Sequence, residues 1–228
     1  AYTQTPAEVA KLSFYTPHVA EGINAAARNE FSCLTATNNI ALSNTAWIHG
    51  VGMLAPDIRV FAAGQAKLIW SARTNVSLYG DTIRLPLFDK LGATIALGTD
   101  WIASGSMNMS REFQCMRDLN ANQFHNYFSD EKLWRMATAN GAAATGAGNV
   151  IGSLKTGYVA DISIFNGKTN KAHSAVTKAG PADVVLVVRG GRPMYGDSAL
   201  LTSLGKGACE DMPVAKDSSS NPAWATGV

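Results

Sequence analysis

Up to Thr145, short apolar runs alternate with longer amphipathic or alanine-rich stretches. Residues 12–16 (Leu-Ser-Phe-Tyr-Thr) alternate apolar and polar positions and carry aromatics, which predicts a short strand punctuated by Pro17 and Gly22 and ending at His18. Residues 46–50, 67–71 and 93–100 are three further runs, and the last is the strongest strand signal. Helical patterns lie between them. Thr5 caps a short helix that has Pro6 at its first position. Residues 23–34 read as a helix, 54–65 as a helical or mixed connector, and 83–91 as helical from Pro86 with Gly92 as the stop. Residues 107–120 form another helix. Ser129 caps a final one, acidic in its first turn at Asp130 and Glu131, which runs to Thr145 and stops at Gly146. Four alternations of strand and helix are the signature of βα units around a parallel sheet.

Beyond Gly146 the period becomes two. Residues 158–165 alternate, 184–188 are continuously apolar, Gly190-Gly191 is a tight turn, and 192–195 continue, which predicts an antiparallel unit. From Asp217 to Pro222 the chain is polar. The expected organisation is a βα domain over 1–146, a β segment over 147–215 and a polar tail over 216–228.

The 228 residues, 24.1 kDa, are 46% hydrophobic and 16% charged, the balance of a core-forming chain of one large or two small domains. A formal net charge of +2 without a basic run gives no electrostatic case for nucleic acid or an anionic membrane. No apolar stretch approaches the ~20 residues that span a bilayer. The expectation is a soluble protein, cytoplasmic by default. Cys33, Cys115 and Cys209 are far apart and odd in number, so they predict buried thiols rather than a disulfide framework or a CxxC metal site. The chain begins at Ala1 with no signal-peptide pattern, so a processed or truncated N-terminus is expected.

Residues with chemistry fall at the ends of three of the four strands: His18, His49 and Asp100. Imidazole is the commonest metal-ligating side chain, and Glu21, three residues past His18, is a carboxylate that can shuttle a proton to water. Alone, His18-x-x-Glu21 is a weak signal and reads first as a packed histidine beside a solvated glutamate. Two His and an Asp at equivalent ends of successive βα units are harder to explain by packing, because (β/α) barrels build their active sites at that end. Trp101, Ile102, Ser104, Ser106 and Met107 either line a substrate pocket or begin the next helix. Arg73 either meets an anionic substrate group or is solvated. Trp47 and Trp70 are assigned to packing, and the glycine-containing runs at 50–52 and 205–207 match no phosphate loop.

His18-x-x-Glu21, His49-Gly50 and Gly98-Thr99-Asp100-Trp101, in this order at strand ends, resemble the amidohydrolase superfamily, within it the mononuclear chlorohydrolase and cytosine-deaminase-like branch. The helix over 133–143 resembles the family's last barrel helix. Gly152-x-Leu154-x-x-Gly157-x-x-Ala160-Asp161 resembles its return into a small β-sandwich. The resemblance implies an α/β fold: the second half of a (β/α)8 TIM-like barrel, strands five to eight, over 1–146, then a small β-sandwich segment. It implies His18 and Asp100 as metal ligands, Glu21 as the proton shuttle, His49 polarising the substrate carbonyl or ring nitrogen, and Trp101 against the substrate. One divalent metal ion is implied, zinc first and iron as the alternative. The implied reaction is hydrolysis of a non-peptide C–N bond of a small molecule, by amide hydrolysis or heterocycle deamination.

The chain departs from the family pattern in two places. It lacks the His-x-His pair of the first strand: His125 and His173 are isolated and read as surface or structural residues. Of the seventh-strand motif P-x-S-N-x-x-L it keeps Asn75 and Leu78. Four parallel strands cannot close a barrel and leave two unpaired edges. The expectation is a C-terminal part completed by an N-terminal polypeptide of the same barrel that brings the His-x-His pair, and so an oligomer. The alternative is a non-catalytic structural half or partner subunit that has lost its metal.

Overall fold

The computed structural model describes residues 4–36, 39–205, 209–213 and 223–227, and the chain divides into two units, Ala1–Gly152 and Ser153–Val228. The first unit is built on a parallel sheet in the order β1 (His18–Val19), β2 (Ala46–His49), β3 (Lys67–Trp70), β4 (Ile95–Leu97). Each strand lies beside the next in sequence, as successive βα units require.

The first strand is shorter and later than its alternation predicts. Tyr15 makes an isolated parallel bridge to Thr45, and pairing resumes at His18 opposite Ile48. Pro17 is the cause of the break. Its carbonyl accepts from the Ile48 N–H at 2.9 Å, but it has no N–H to return to β2.

α1 (Pro6–Val9) precedes the sheet and starts with the expected Thr5 cap, which forms a reciprocal capping box with Glu8. The strand connections carry α2 (Ala25–Ala36), α3 (Ala55–Ala63), α4 (Ala72–Tyr79) and α5 (Leu85–Lys90). After β4 come α6 (Met109–Asn122), α7 (Asp130–Ala137) and α8 (Ala139–Ala144). Two differences from the sequence expectation matter. The helix capped by Ser129 is interrupted at Thr138 (φ −119°, ψ −99°), whose hydroxyl donates to the Trp134 carbonyl at 3.0 Å. And α4 occupies residues whose pattern predicted no helix.

Trp47, Leu68, Trp70, Ile95 and Leu97 share one sheet face by register, and all are buried. Trp47 packs edge-on with Phe31 of α2 and Phe61 of α3, each at 5.5 Å between ring centroids, and Phe61 meets Phe88 of α5 at 5.4 Å. Such T-shaped pairs contribute about 0.5–1.5 kcal/mol each beyond the area they bury. On the opposite face Ala46, Ala96 and Ile69 cluster with Ala144 of α8, while Ile48 and Ile69 are half-buried and His18 is exposed.

The second unit is an antiparallel sheet of β5 (Ile162–Phe165), β6 (Val184–Arg189), β7 (Arg192–Asp197), β8 (Cys209–Pro213) and β9 (Ala223–Gly227), in the order β5-β6-β7-β9-β8. Gly190 and Gly191, with φ of 55° and 79°, supply the two left-handed positions of the β6–β7 hairpin. α9 (Ser174–Thr177) and a 3-10 turn (Pro181–Asp183) lie between β5 and β6, and α10 (Ser198–Ser203) packs Leu201 on Leu186. Strand β9 lies within the stretch expected as a polar tail. Its pairing with β7 and β8 is non-local, so no local pattern announces it. Asp217 to Pro222 lie outside the described residues, as do Lys206 and Gly207. Where a β-sandwich segment was expected, the described residues form this one sheet.

Among the described residues no helix is long and apolar enough to cross a membrane. The cysteines, expected to be buried, are not: Cys33 is exposed, and Cys115 and Cys209 are half-buried.

Candidate active site

Three tips of the parallel sheet turn on non-glycine residues in the left-handed region. Ala20 (φ 53°) follows β1, His49 (φ 73°) closes β2, and Asp100 (φ 55°) lies just past β4. Such conformations cost of order 1–3 kcal/mol each and persist where the surroundings enforce them. Here the loops enforce one another. The Ala20 N–H donates to Glu30 Oε2 of α2 at 2.9 Å. A Cβ on Gly52 would lie 2.9 Å from the Gly22 carbonyl, so the loops after β1 and β2 close together through a residue without a side chain.

His18, His49 and Asp100 each bring a ligand atom to within 4.8 Å of the other two. The two imidazole rings are 5.2 Å apart between centroids. His49 Nε2 lies 3.4 Å from Glu21 Oε1 and 3.7 Å from Asp100 Oδ2, so both carboxylates face one nitrogen. The other carboxylate oxygen of Asp100 accepts from the Trp101 N–H at 2.7 Å. His49 is 1% exposed, and its Nδ1 lies 3.2 Å from Asn75 Oδ1. An amide oxygen can only accept, so this bond assigns a proton to Nδ1 and turns Nε2 to the carboxylates.

Helix α4 supplies that asparagine and, one turn later, Tyr79. The Tyr79 hydroxyl donates to Glu21 Oε1 at 3.0 Å. Burial, and then the Glu21 hydrogen bond and charge, push this hydroxyl up to about 12, so it remains a donor throughout the neutral range.

Two imidazole nitrogens and a carboxylate oxygen are a donor set that zinc accepts, and three protein ligands are what catalytic zinc sites carry. Convergence of those atoms therefore fits one shared divalent ion. The count is three rather than two because His49 stands beside the expected pair, His18 and Asp100.

The remaining expectations divide. Trp101 and Ile102 are exposed on the loop after Asp100. Ser104 and Ser106 are buried and tie that loop to α4: Ser104 meets the Thr74 hydroxyl at 3.4 Å, and Ser106 accepts from Arg73 Nε at 3.0 Å. Arg73 is therefore engaged within the fold rather than solvated. The Ser106 hydroxyl donates to Glu112 Oε2, and Glu112 Oε1 accepts from the Arg73 N–H at 3.1 Å. Burial pushes the Glu112 carboxyl above the ordinary range, opposed by these bonds. His125 follows α6 and His173 precedes α9, and neither joins the cluster. A cavity of about 310 Å³ is lined by Ile23, Val51, Thr82, Arg84, Gln123 and Phe124, among others; Ile23 and Val51 lie two residues past Glu21 and His49.

Sequence reasoning noted Asn75 as a motif survivor but missed its contact with His49, and it missed Tyr79 and Thr82. The available signal was Asn75-x-x-x-Tyr79-Gly80, a four-residue spacing closed by a helix-stopping glycine.

Comparison with known proteins places the chain in a family. A 5-methylthioadenosine/S-adenosylhomocysteine deaminase of Pyrococcus furiosus is 31% identical over 121 residues, covering 52% of this chain and 28% of the relative. The enzyme of the same name from Shouchella clausii is 28% identical over 173 residues, 71% of this chain and 40% of the relative. The chain thus spans well under half the length of these curated relatives. Among solved structures, an adenosine deaminase from Xanthomonas campestris with bound zinc superposes with a TM-score of 0.69 at 20% identity, over 83% of this chain and 48% of that one. An atrazine chlorohydrolase from Arthrobacter aurescens TC1 complexed with zinc gives 0.64 at 19% identity, over 83% and 46%. These two share the fold. Residues 17–194, which hold every residue of the cluster, match the amidohydrolase family model, and the chain belongs to that family.

Proposed function

We propose that this chain carries strands five to eight of an amidohydrolase barrel, and that the complete barrel hydrolyses a C–N bond of a small molecule, with deamination of an aminated purine as the first choice. The observation that carries this reading is the convergence of His18, His49 and Asp100 within 4.8 Å, with Glu21 3.4 Å from His49 Nε2. The names of the relatives favour a purine over other heterocycles.

His18 and Asp100 would hold the ion, with His49 near enough to join them. A divalent ion there supplies the Lewis acidity that makes water a nucleophile near neutral pH. Glu21 takes the proton from the attacking water and returns it to the leaving nitrogen, so that the C–N bond breaks with ammonia as the leaving group. To polarise the ring nitrogen or carbonyl of the substrate, His49 would donate from Nε2, so in that role its ring carries a proton on both nitrogens. Trp101, exposed on the loop directly after Asp100, would offer the substrate an apolar surface.

Two features support the half-barrel part of the reading. Parallel sheets are covered on both faces, yet Ile48 and Ile69 are half-buried here and His18 is exposed. Strands β1 and β4 each pair with one neighbour in the described sheet. A complementary N-terminal polypeptide bearing His-x-His would cover that face and pair both edges.

The test is ammonia release from 5′-methylthioadenosine, adenosine and guanine, with zinc and iron measured on the same preparation. The protein is assayed alone and after addition of a polypeptide that supplies the His-x-His strand. Activity that appears with the added segment and is abolished by a chelator supports the reading. A metal-free 24.1 kDa monomer that stays silent in both arms overturns it in favour of a structural subunit.

A further inference from the structure

Helix α4 touches both the proton shuttle and the polarising group of the functional reading, Glu21 and His49. Asn75 and Tyr79 are four residues apart, hence on one face and one turn apart. Asn75 is fully buried, and its Oδ1 lies 3.2 Å from His49 Nδ1. Its amide nitrogen donates to Thr82 Oγ1 at 3.5 Å, and the same oxygen accepts from Trp70 Nε1 at 2.9 Å. Indole nitrogen can only donate, so Thr82 is held as an acceptor from behind. Tyr79 donates to Glu21 at 3.0 Å. Gly80, left-handed at φ 67°, ends the helix directly after Tyr79 and turns the chain so that Thr82 returns to Asn75. At the other end of the helix, Thr74 and Arg73 hold the loop that follows Asp100 through Ser104 and Ser106.

Resting on the functional reading for what Glu21 and His49 do, we propose that Asn75 and Tyr79 are a pair of positioning residues on one helical face. Asn75 keeps a proton on His49 Nδ1 and fixes the ring, so that Nε2 is the nitrogen turned to Glu21, Asp100 and the substrate. Tyr79 holds the Glu21 carboxylate against that same nitrogen. The two hydrogen bonds make α4 a two-point clamp that fixes the shuttle and the polarising group relative to each other. Neither residue needs to touch substrate. Both act by removing rotational freedom from groups that must be placed to within a fraction of an ångström.

The experiment uses the full chain with Asn75→Leu, Asn75→Asp, Thr82→Val, Tyr79→Phe, Glu21→Gln and the Tyr79→Phe/Glu21→Gln double variant. Nitrogen-15 NMR of the histidine rings reports which His49 nitrogen carries the proton, independently of turnover. The expected result is an Nδ1-protonated His49 in the wild type and in Asn75→Asp, which keeps the acceptor, and a mixture of tautomers in Asn75→Leu. A wild-type His49 protonated on Nε2 alone, or one unchanged by Asn75→Leu, overturns the Asn75 assignment. Should Asn75→Leu fail to fold, Thr82→Val, which loosens the amide from behind, gives the same reading. For Tyr79, the melting temperatures of the two single variants and the double variant form a cycle: non-additive shifts are expected, and additive ones overturn the assignment. Where the deamination assay is active, Tyr79→Phe lowers kcat by about tenfold to a hundredfold with KM unchanged. Silence in that assay for the wild type sinks the functional reading, while the NMR measurement and the thermal cycle still decide the clamp.

Discussion

Gly105 is the tightest point of the loop that carries Asp100, and its replacement by alanine is a sharp test of how that loop is held. An added Cβ would lie 2.0 Å from the Thr99 carbonyl oxygen, 2.9 Å from the Trp101 carbonyl oxygen and 2.8 Å from Thr74 Oγ1. The first two obstacles are backbone atoms already fixed by hydrogen bonds: Ser106 N–H to Thr99 O at 3.0 Å and Gly105 N–H to Trp101 O at 2.6 Å. No side-chain rotation relieves the overlap, so the loop must open. Overpacking costs about 1–3 kcal/mol in general, and immovable neighbours place this case near 3. In a chain of this size each kcal/mol moves the melting temperature by about 2–4 °C, which predicts a fall of roughly 6–12 °C. Opening the loop also moves Asp100, so zinc taken up at equilibrium dialysis should fall in parallel. Gly141→Ala is the control. Gly141 lies inside α8, its Cβ would come no nearer than 3.6 Å to the Met136 carbonyl, and the change should stabilise by about 0.5–1 kcal/mol. A Gly105→Ala protein that melts within about 1 °C of the wild type would refute this account of the loop.

Three further outcomes follow from the same structure. The Glu112 carboxyl is raised by burial from its ordinary 4.5, so the native state binds its proton more tightly than the unfolded chain; its stabilisation is complete below 4.5 and is lost as pH rises through the raised value. The melting advantage of wild type over Glu112→Gln should therefore shrink as pH increases from 4.5 toward neutrality, and a pH-independent difference in calorimetry rules this out. Asn108 caps α6 by accepting from the Arg111 N–H at 2.9 Å, so Asn108→Ala should cost about 1 kcal/mol in a urea titration, with an unchanged midpoint as the contrary result. His18→Ala should abolish zinc uptake while moving metal-free stability by no more than about 0.5 kcal/mol, because the side chain is exposed; retention of zinc removes His18 from the ligand set.

The parallel sheet and the side-chain cluster at its tips were legible in the sequence because both have local signatures. A short apolar or alternating run between longer amphipathic stretches marks a strand. A histidine or aspartate on its last residue or just past it carries chemistry that few other residue types supply. His18, His49 and Asp100 were found this way and Glu21 by its place three residues past His18, and the structure brings all four together. Failures arose where a distant partner decides the outcome. Pro17 shortened β1 because the missing N–H is one that β2 would have received. Strand β9 exists because β7 and β8 offer it two edges.

Helix α4 is the instructive failure, since it holds the site together and was invisible. Five of the eight residues in its sequence, Ala-Arg-Thr-Asn-Val-Ser-Leu-Tyr, have middling or poor helix propensity. Residues 71–78 also imitate a strand-end motif. What makes it helical lies elsewhere in the chain. Its first turn leaves backbone N–H groups without partners, and Ser71 makes no side-chain cap. Glu112, on α6 and 39 residues away from Arg73, accepts the Arg73 N–H instead. A carboxylate at a helix N-terminus answers both the missing hydrogen bonds and the dipole, and Ser106 orders it from the loop behind Asp100. At the far end Gly80 accepts the left-handed turn that stops the helix. The cap of the supporting helix and the loop that carries Asp100 are therefore one hydrogen-bonded unit. Support and chemistry fold together here, and the support stays unreadable until α6 and the loop are already in place.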